Sequence, residues 1–195
     1  MELERRFITS EIRATDADDG TTTIEGHAAV FNIDSEDLGG FVERIAPGAF
    51  TNALARPDDI RALFNHDPNM VLGRNTAGTL ALSEDDTGLR YKLDLPDTQP
   101  GRDLAVSMKR GDVSQSSFGF RVTKQSWELV NNAPDIRTIE EAELFDVSPV
   151  TYPAYPDATV AVRSHSEAVE DARPNQTDCR NRQIEMHTHQ AKSID

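Results

Sequence analysis

Two stretches of sequence decide the fold class: FGFRVTKQSW, residues 118–127, and IRTIEEAELFDVSPV, residues 136–150. Both are rich in β-branched and aromatic residues, and segments typical of turns flank them. They are therefore the longest strand candidates in the chain. Prolines at positions 149, 153 and 156 then predict the end of regular structure, because proline cannot donate a ladder hydrogen bond.

Shorter strand-like runs precede these two stretches, at residues 6–14, 21–32, 60–64, 71–82 and 89–95. The clusters DADDG (16–20) and SEDDTG (83–88) are typical of turns between strands. Two helices are predicted, one over GAFTNALA after Pro47 and one over residues 101–110, which Gly111 ends. Many short strands with two interspersed helices predict a β-rich α+β domain.

The character of the chain changes near residue 164. Residues 164–195 are polar, charged and poor in aromatic side chains, so they cannot bury enough apolar surface to hold a fold of their own. We therefore expect one domain over residues 1–163 and a polar, flexible C-terminal tail over residues 164–195.

Charge and composition exclude several classes of function. With 34 acidic residues against 20 basic ones, the net charge is −14, which repels a phosphate backbone and disfavours nucleic-acid binding. No apolar run approaches the ~20 residues that a membrane span needs. The single cysteine, Cys179, excludes an internal disulfide and is compatible with a reducing cytoplasm.

Of the five histidines, His66 is the best candidate for chemistry. It follows a strand-like run in ALFNHDPN and begins a turn, which places its imidazole at the end of a predicted strand and not inside the sheet. His27 lies within a predicted strand, where a structural role is favoured. His165, His187 and His189 fall in the predicted tail, and Cys179 has no ligand partner at zinc-site spacing, so we expect no metal and no cofactor.

Ser116 and Ser117 stand at the head of an apolar strand in SSFGFRV. A nucleophilic serine needs a rigid position, a base within hydrogen-bond reach and a group that orients the base. The residues alone supply a rigid serine and a candidate base in His66, and on this evidence alone a strand-edge serine bonded to backbone is the favoured interpretation. There is no G-x-S-x-G motif, which disfavours an α/β-hydrolase.

The acidic candidates for the third group are Asp67, Glu140, Glu141, Glu143 and Asp146. Asp67 is the sequence neighbour of His66, and neighbours in an extended chain point to opposite faces. Asp146 stands between Phe145 and Val147, and a carboxylate in apolar surroundings needs a charged or hydrogen-bonding partner.

Six segments, in this order, carry a resemblance to the caudovirus prohead serine protease family over about residues 5–163. They are EGHAAVFN, FVERIAPGAF, ALFNHD with VLGRNTAGTLAL, GLRYKLDLPDT, RGDVSQSSFGF and DVSPVTYPAYPDATV. The resemblance implies a small, mostly antiparallel β-barrel surrounded by helices, similar to the herpesvirus assemblins. It also implies a catalytic histidine at His66, a nucleophile at Ser117 and an acid at Asp146, with Ser116 and Glu143 as alternatives.

The resemblance further implies a serine endopeptidase that cleaves capsid or scaffold proteins inside the assembling prohead and processes itself. Its expected partners are the major capsid protein and the scaffolding segment of that protein, in the host cytoplasm and the prohead interior. Self-association into a homo-oligomer stays open. The alternative function is a non-enzymatic internal scaffold or capsid-assembly chaperone with a protease-like fold. A carbohydrate- or peptide-binding β-barrel is disfavoured, because aromatic residues make up only 6% of the chain.

Overall fold

The protein folds around two β-sheets. A computed structural model describes residues 3–8, 12–18, 20–56, 58–152 and 159–172, and all structural statements refer to these residues. The strands are β1 (Glu4–Ile8), β2 (Arg13–Asp16), β3 (Thr22–Val30), β4 (Phe41–Ile45), β5 (Arg61–Phe64), β6 (Asp67–Arg74), β7 (Leu80–Glu84), β8 (Gly88–Asp94), β9 (Gln115–Glu128) and β10 (Asp135–Val150). The helices are α1 (Thr51–Ala55), α2 (Gln99–Arg110) and α3 (Thr159–Ala172), with a 3-10 turn at Asn75–Ala77.

The first sheet holds six strands in the order β1-β9-β10-β5-β6, and β4 also pairs with β10. The long antiparallel pair β9–β10 forms its centre. Both β4 and β5 run parallel to β10, β4 along residues 135–139 and β5 at Asp146 and Val147. This arrangement brings β5 beside the end of the β9–β10 pair that carries Asp146 and Ser117.

The second sheet has four antiparallel strands in the order β2-β3-β8-β7. One hydrophobic core contains side chains from both sheets, including Ile24, Tyr91 and Leu93 from the second and Phe118 and Phe120 from the first. The two sheets therefore bury their apolar faces against each other, as the alternation of apolar and polar residues along the strands requires.

The structure confirms a β-rich fold with interspersed helices. Six of the eight strand pairings are antiparallel. Within the described residues the strands form two sheets and do not close into a barrel, so the barrel and its likeness to assemblins stay predictions. The run predicted over residues 6–14 is two strands, and the run over residues 71–82 is interrupted by the 3-10 turn.

Two elements were not predicted from the sequence. β4 covers FVERI, which is short and carries two charges. α3 crosses the predicted boundary at Arg163, and two of its residues, Ser164 and His165, hydrogen-bond to Gln125 and Asp135 of the body. Residues 173–195, with His187, His189 and Cys179, lie outside the described residues, as do Pro153 and Pro156.

Candidate active site

His66 lies in the two-residue turn between β5 and β6. Asn65 and His66 both have left-handed backbone angles, with φ of 54° and 57°, as the central residues of a type I′ hairpin do. This conformation is uncommon for non-glycine residues, among which asparagine and histidine are enriched in it. Two hydrogen bonds of Asn65 stabilise the turn. Its side-chain oxygen accepts from the Thr151 backbone amide (2.9 Å), and its own backbone amide donates to the Pro149 carbonyl (3.0 Å).

Ser117 lies on β9, one residue from the core-facing Ser116. The Ser116 hydroxyl lies within hydrogen-bond distance of the Tyr91 hydroxyl (3.2 Å) and of the Ser148 carbonyl (3.3 Å) inside the protein. Burial raises the pKa of Tyr91 above its ordinary value, so its phenol stays neutral there. Successive side chains on a strand point to opposite faces, and Ser117 accordingly faces away from Tyr91, towards His66.

Asp146 lies on β10 at a β-bulge, where the register with β9 shifts between Leu144 and Asp146. Its strand partner is Gly119. A Cβ atom at Gly119 would come within 2.4 Å of Asp146 Oδ2, so only glycine leaves room for this carboxylate. The absence of a side chain at Gly119, in the SSFGF segment, therefore makes room for the Asp146 carboxylate on the neighbouring strand.

The three side chains form one continuous chain of hydrogen bonds. His66 Nε2 lies 2.6 Å from Ser117 Oγ, and His66 Nδ1 lies 2.6 Å from Asp146 Oδ1. The Ser148 hydroxyl donates a further hydrogen bond of 2.8 Å to Asp146 Oδ1. All four residues are buried, so solvent screens these contacts little.

The other acidic candidates make different contacts. Glu143 pairs with Arg121 (3.1 Å) and Arg56 (3.6 Å) at the surface. Glu140 pairs with Lys124, and Glu141 accepts a hydrogen bond from the side-chain amide of Asn52. Asp67 accepts a hydrogen bond from the backbone amide of Asn69. Of the five candidates, Asp146 is the one that hydrogen-bonds to His66.

The remaining described histidines lie elsewhere. His27 pairs with Asp85 (2.9 Å) on the second sheet. His165 of α3 donates to, or accepts from, Asp135 (2.7 Å) and packs against Phe41 and Trp127. Within the described ranges no group of three or more His, Cys, Asp or Glu residues could hold a metal ion. No helix in the same ranges is long and apolar enough to cross a membrane.

A shallow pocket of about 350 Å³ opens beside the imidazole. Arg5, Asn65, His66, Val150, Thr151 and Tyr152 line it. One edge of the histidine therefore reaches towards solvent, whereas Ser117 is fully covered.

Comparison with known proteins places this chain in a family. The family described as caudovirus prohead serine protease matches residues 9–172, most of the chain and all of the site. The chain belongs to the caudovirus prohead serine protease family. The match ends at residue 172, the last residue of α3.

Individual relatives agree with the prohead protease assignment. The prohead protease of Enterobacteria phage HK97 is 31% identical over 170 residues, which are 86% of this chain and 71% of the relative. The prohead protease of Escherichia phage T5 is 27% identical over 146 residues, 74% of this chain and 64% of the relative. Among solved structures, the capsid assembly protease of bacteriophage T4 is similar at a TM-score of 0.43 and 13% identity, over 75% of this chain and 98% of that one.

Sequence reasoning missed three features of this candidate site. Ser148 stands two residues from Asp146 in the same strand, a spacing that places both side chains on one face and could have indicated the contact. Gly119 is visible in the sequence, but its role depends on the strand register. The left-handed backbone at His66 has no sequence signal beyond the asparagine before it.

Proposed function

We propose that this chain is a serine endopeptidase in which Ser117 is the nucleophile, His66 the general base and Asp146 the group that orients His66. The observation that carries the proposal is the buried chain of hydrogen bonds from Ser117 Oγ through both ring nitrogens of His66 to Asp146. Scaffolding alone would not require these three side chains in this arrangement.

In the proposed reaction, His66 Nε2 takes the hydroxyl proton as Ser117 Oγ attacks the scissile carbonyl carbon. The same nitrogen then returns the proton to the leaving amine, and a water molecule hydrolyses the acyl-enzyme by the same sequence of steps. Asp146 accepts from Nδ1–H, which fixes the tautomer and stabilises the imidazolium. The Ser148 hydroxyl holds the carboxylate in place.

The proposed substrates are the capsid and scaffold proteins of the phage that encodes this chain, cleaved inside the assembling prohead. Membership of the family and the prohead proteases of phages HK97 and T5 support this proposal. Enclosure with substrate in a shell raises the effective concentration of every cleavable segment, including those of the enzyme itself. We therefore include self-processing, with residues beyond α3 as the segment removed.

For the division of the chain, we propose a protease domain followed by a polar tail. α3 and the family match both run to residue 172, which supports a domain end near that residue rather than at Arg163. The assemblin-like barrel and the homo-oligomer remain parts of the proposal with no further support from the described strands.

A fluorophosphonate probe tests the nucleophile, because it labels a serine that a neighbouring base activates. Tryptic mass spectrometry should locate the label on Ser117 in the wild type and find none in Ser117→Ala. Ser116→Ala is the matched control, since it removes the adjacent hydroxyl, which bonds within the core. Labelling that survives Ser117→Ala and disappears in Ser116→Ala would reassign the nucleophile.

A further inference from the structure

Ser117 is fully buried in this structure, with no exposed surface. Acyl transfer requires a substrate carbonyl carbon about 3 Å from the nucleophilic oxygen. The group that stands there now is the backbone of β1: Phe7 pairs with Ser117, and the Ser117 hydroxyl donates a 2.8 Å hydrogen bond to the Arg6 carbonyl. β1 therefore occupies the space that a substrate needs.

The hydrogen bond to Arg6 also competes with catalysis. The Ser117 hydroxyl carries one hydrogen, and it cannot be donated to the Arg6 carbonyl and to His66 Nε2 at the same time. While the hydrogen points to Arg6, it is not in line for transfer to the base. The Arg6 carbonyl presents its oxygen to the hydroxyl, which is a hydrogen-bonding geometry and not one for attack on carbon.

β1 also has the form of a bound substrate. It is an extended strand at the end of the first sheet, antiparallel to β9, with five residues in register from Glu4 opposite Phe120 to Ile8 opposite Ser116. Adding an extended peptide to a sheet edge is a common mode of peptide recognition, because the main-chain hydrogen bonds do not depend on sequence. The edge of β9 beside Ser117 is built for such a strand.

We propose that the β9 edge beside Ser117 is the docking site for the extended backbone of a substrate peptide, and that β1 occupies and blocks this site until a substrate replaces it. The inference rests on the proposed protease function. In the replaced state, a substrate backbone lies along β9 where β1 lies now, and its scissile carbonyl carbon takes the place beside Ser117 Oγ that the Arg6 carbonyl oxygen now fills.

A buried cluster of charges holds β1 in place. Arg6 of β1 donates to Glu43 of β4 at 2.7 and 3.1 Å, and Glu4 of β1 accepts from Arg137 of β10 at 2.8 and 3.1 Å. Arg137 and Glu43 also bond to each other at 2.7 Å. All four side chains are buried, and their charges balance.

Such a cluster suits a strand that must leave. Buried ion pairs add little net stability, because desolvation offsets most of their attraction, yet they fix one geometry. When β1 leaves, its two buried charges return to water, and Glu43 and Arg137 remain paired with each other. The sheet that remains then contains a buried ion pair with no net charge, and not an isolated buried charge.

The test makes use of the ion pair between Glu43 and Arg137, because neither residue belongs to β1. The double variant Glu4→Ala/Arg6→Ala removes the two buried charges of β1 and leaves that pair intact. The matched control, Asp16→Ala/Lys109→Ala, deletes an exposed ion pair of the second sheet and changes the net charge by the same amount, zero. Arg6→Lys is a milder variant that keeps the charge but loses the two-pronged contact with Glu43.

Three quantities are measured on the full-length chains: hydrogen–deuterium exchange of residues 4–8, the rate of fluorophosphonate labelling at Ser117, and cleavage of the phage capsid protein. We expect Glu4→Ala/Arg6→Ala to exchange and label more than about tenfold faster than wild type, since the loss of one charged hydrogen bond already shifts an equilibrium by roughly that factor and this variant loses several. Arg6→Lys should fall between them and the control should match wild type. A synthetic peptide, LERRFI, should slow labelling of the double variant.

Two outcomes overturn the inference, and they differ. If residues 4–8 exchange faster in the double variant and Arg6→Lys while both label and cleave at the wild-type rate, β1 does not block the site and the protease function stands. If exchange rises but neither the wild type nor any variant labels Ser117 or cleaves capsid protein, the proposed function fails and the docking site fails with it. Should the double variant not fold, the comparison of Arg6→Lys with wild type decides.

Discussion

At the scale of single residues, the site depends on the strained left-handed backbone of His66 and on the absence of a side chain at Gly119. A non-glycine residue in the left-handed region costs on the order of 1–3 kcal/mol. The turn at His66 keeps this conformation because the Asn65 side chain hydrogen-bonds to both the hydroxyl and the backbone amide of Thr151. The strained turn aims the imidazole at Ser117 and Asp146, and Gly119 leaves the carboxylate its place.

The orientation of His66 by Asp146 can be tested with Asp146→Asn. The amide keeps the shape of the side chain but favours the wrong imidazole tautomer, which lowers turnover by about 10⁴-fold in proteases of the chymotrypsin type. We expect a loss of the same order in the cleavage rate of capsid protein. Glu143→Gln is the control and should retain activity, because Glu143 bonds to Arg121 and not to His66. A larger loss in the control would transfer the role to Glu143.

The role of Gly119 predicts a specific coupling. Gly119→Ala places a methyl group 2.4 Å from Asp146 Oδ2, so we expect a lower melting temperature and almost no turnover. Combining it with Asp146→Ala removes the clash, and the double variant should be more stable than the sum of the two single changes implies. Strictly additive melting temperatures would show that the two side chains do not compete for space.

At the scale of elements, α3 is held by few but specific contacts. His165 lies 5.1 Å from both the Phe41 and Trp127 rings, measured between ring centroids, and bonds to Asp135 at the start of β10. Sequence reasoning assigned these residues from 164 onward to a flexible tail, because their polar composition predicts no core. The helix instead docks through Ser164 and His165, contacts that composition does not reveal.

Acid should release α3. The hydrogen bond from His165 lowers the pKa of Asp135 below its ordinary value, so the folded state gains stability above the ordinary carboxyl range and loses it as the pH falls through the lowered pKa. We expect the emission of Trp127, the single tryptophan, to shift to longer wavelength below about pH 4. In Asp135→Asn, which does not titrate, the emission should already be shifted at pH 7. Identical titrations of the two proteins would exclude Asp135 as the group responsible.

At the scale of the whole molecule, sequence reasoning predicted the β-rich class because β9 and β10 have strong strand patterns. It also named Ser117, His66 and Asp146, which the fold brings together. It could not see the pairing that makes them adjacent: β5 and β10 meet in parallel through a long connection, and no local pattern encodes that contact. The covering of Ser117 by β1 likewise depends on a pairing between residues more than 100 positions apart.

The central claim is that Ser117, activated by His66, cuts capsid protein. The most direct measurement is the intact mass of the phage's own major capsid protein after co-expression with this chain. With wild type and Ser116→Ala we expect a shortened capsid protein with one defined new terminus, and with Ser117→Ala the full-length mass. A shortened capsid protein in the presence of Ser117→Ala, or a full-length one in the presence of the wild type, would contradict the account.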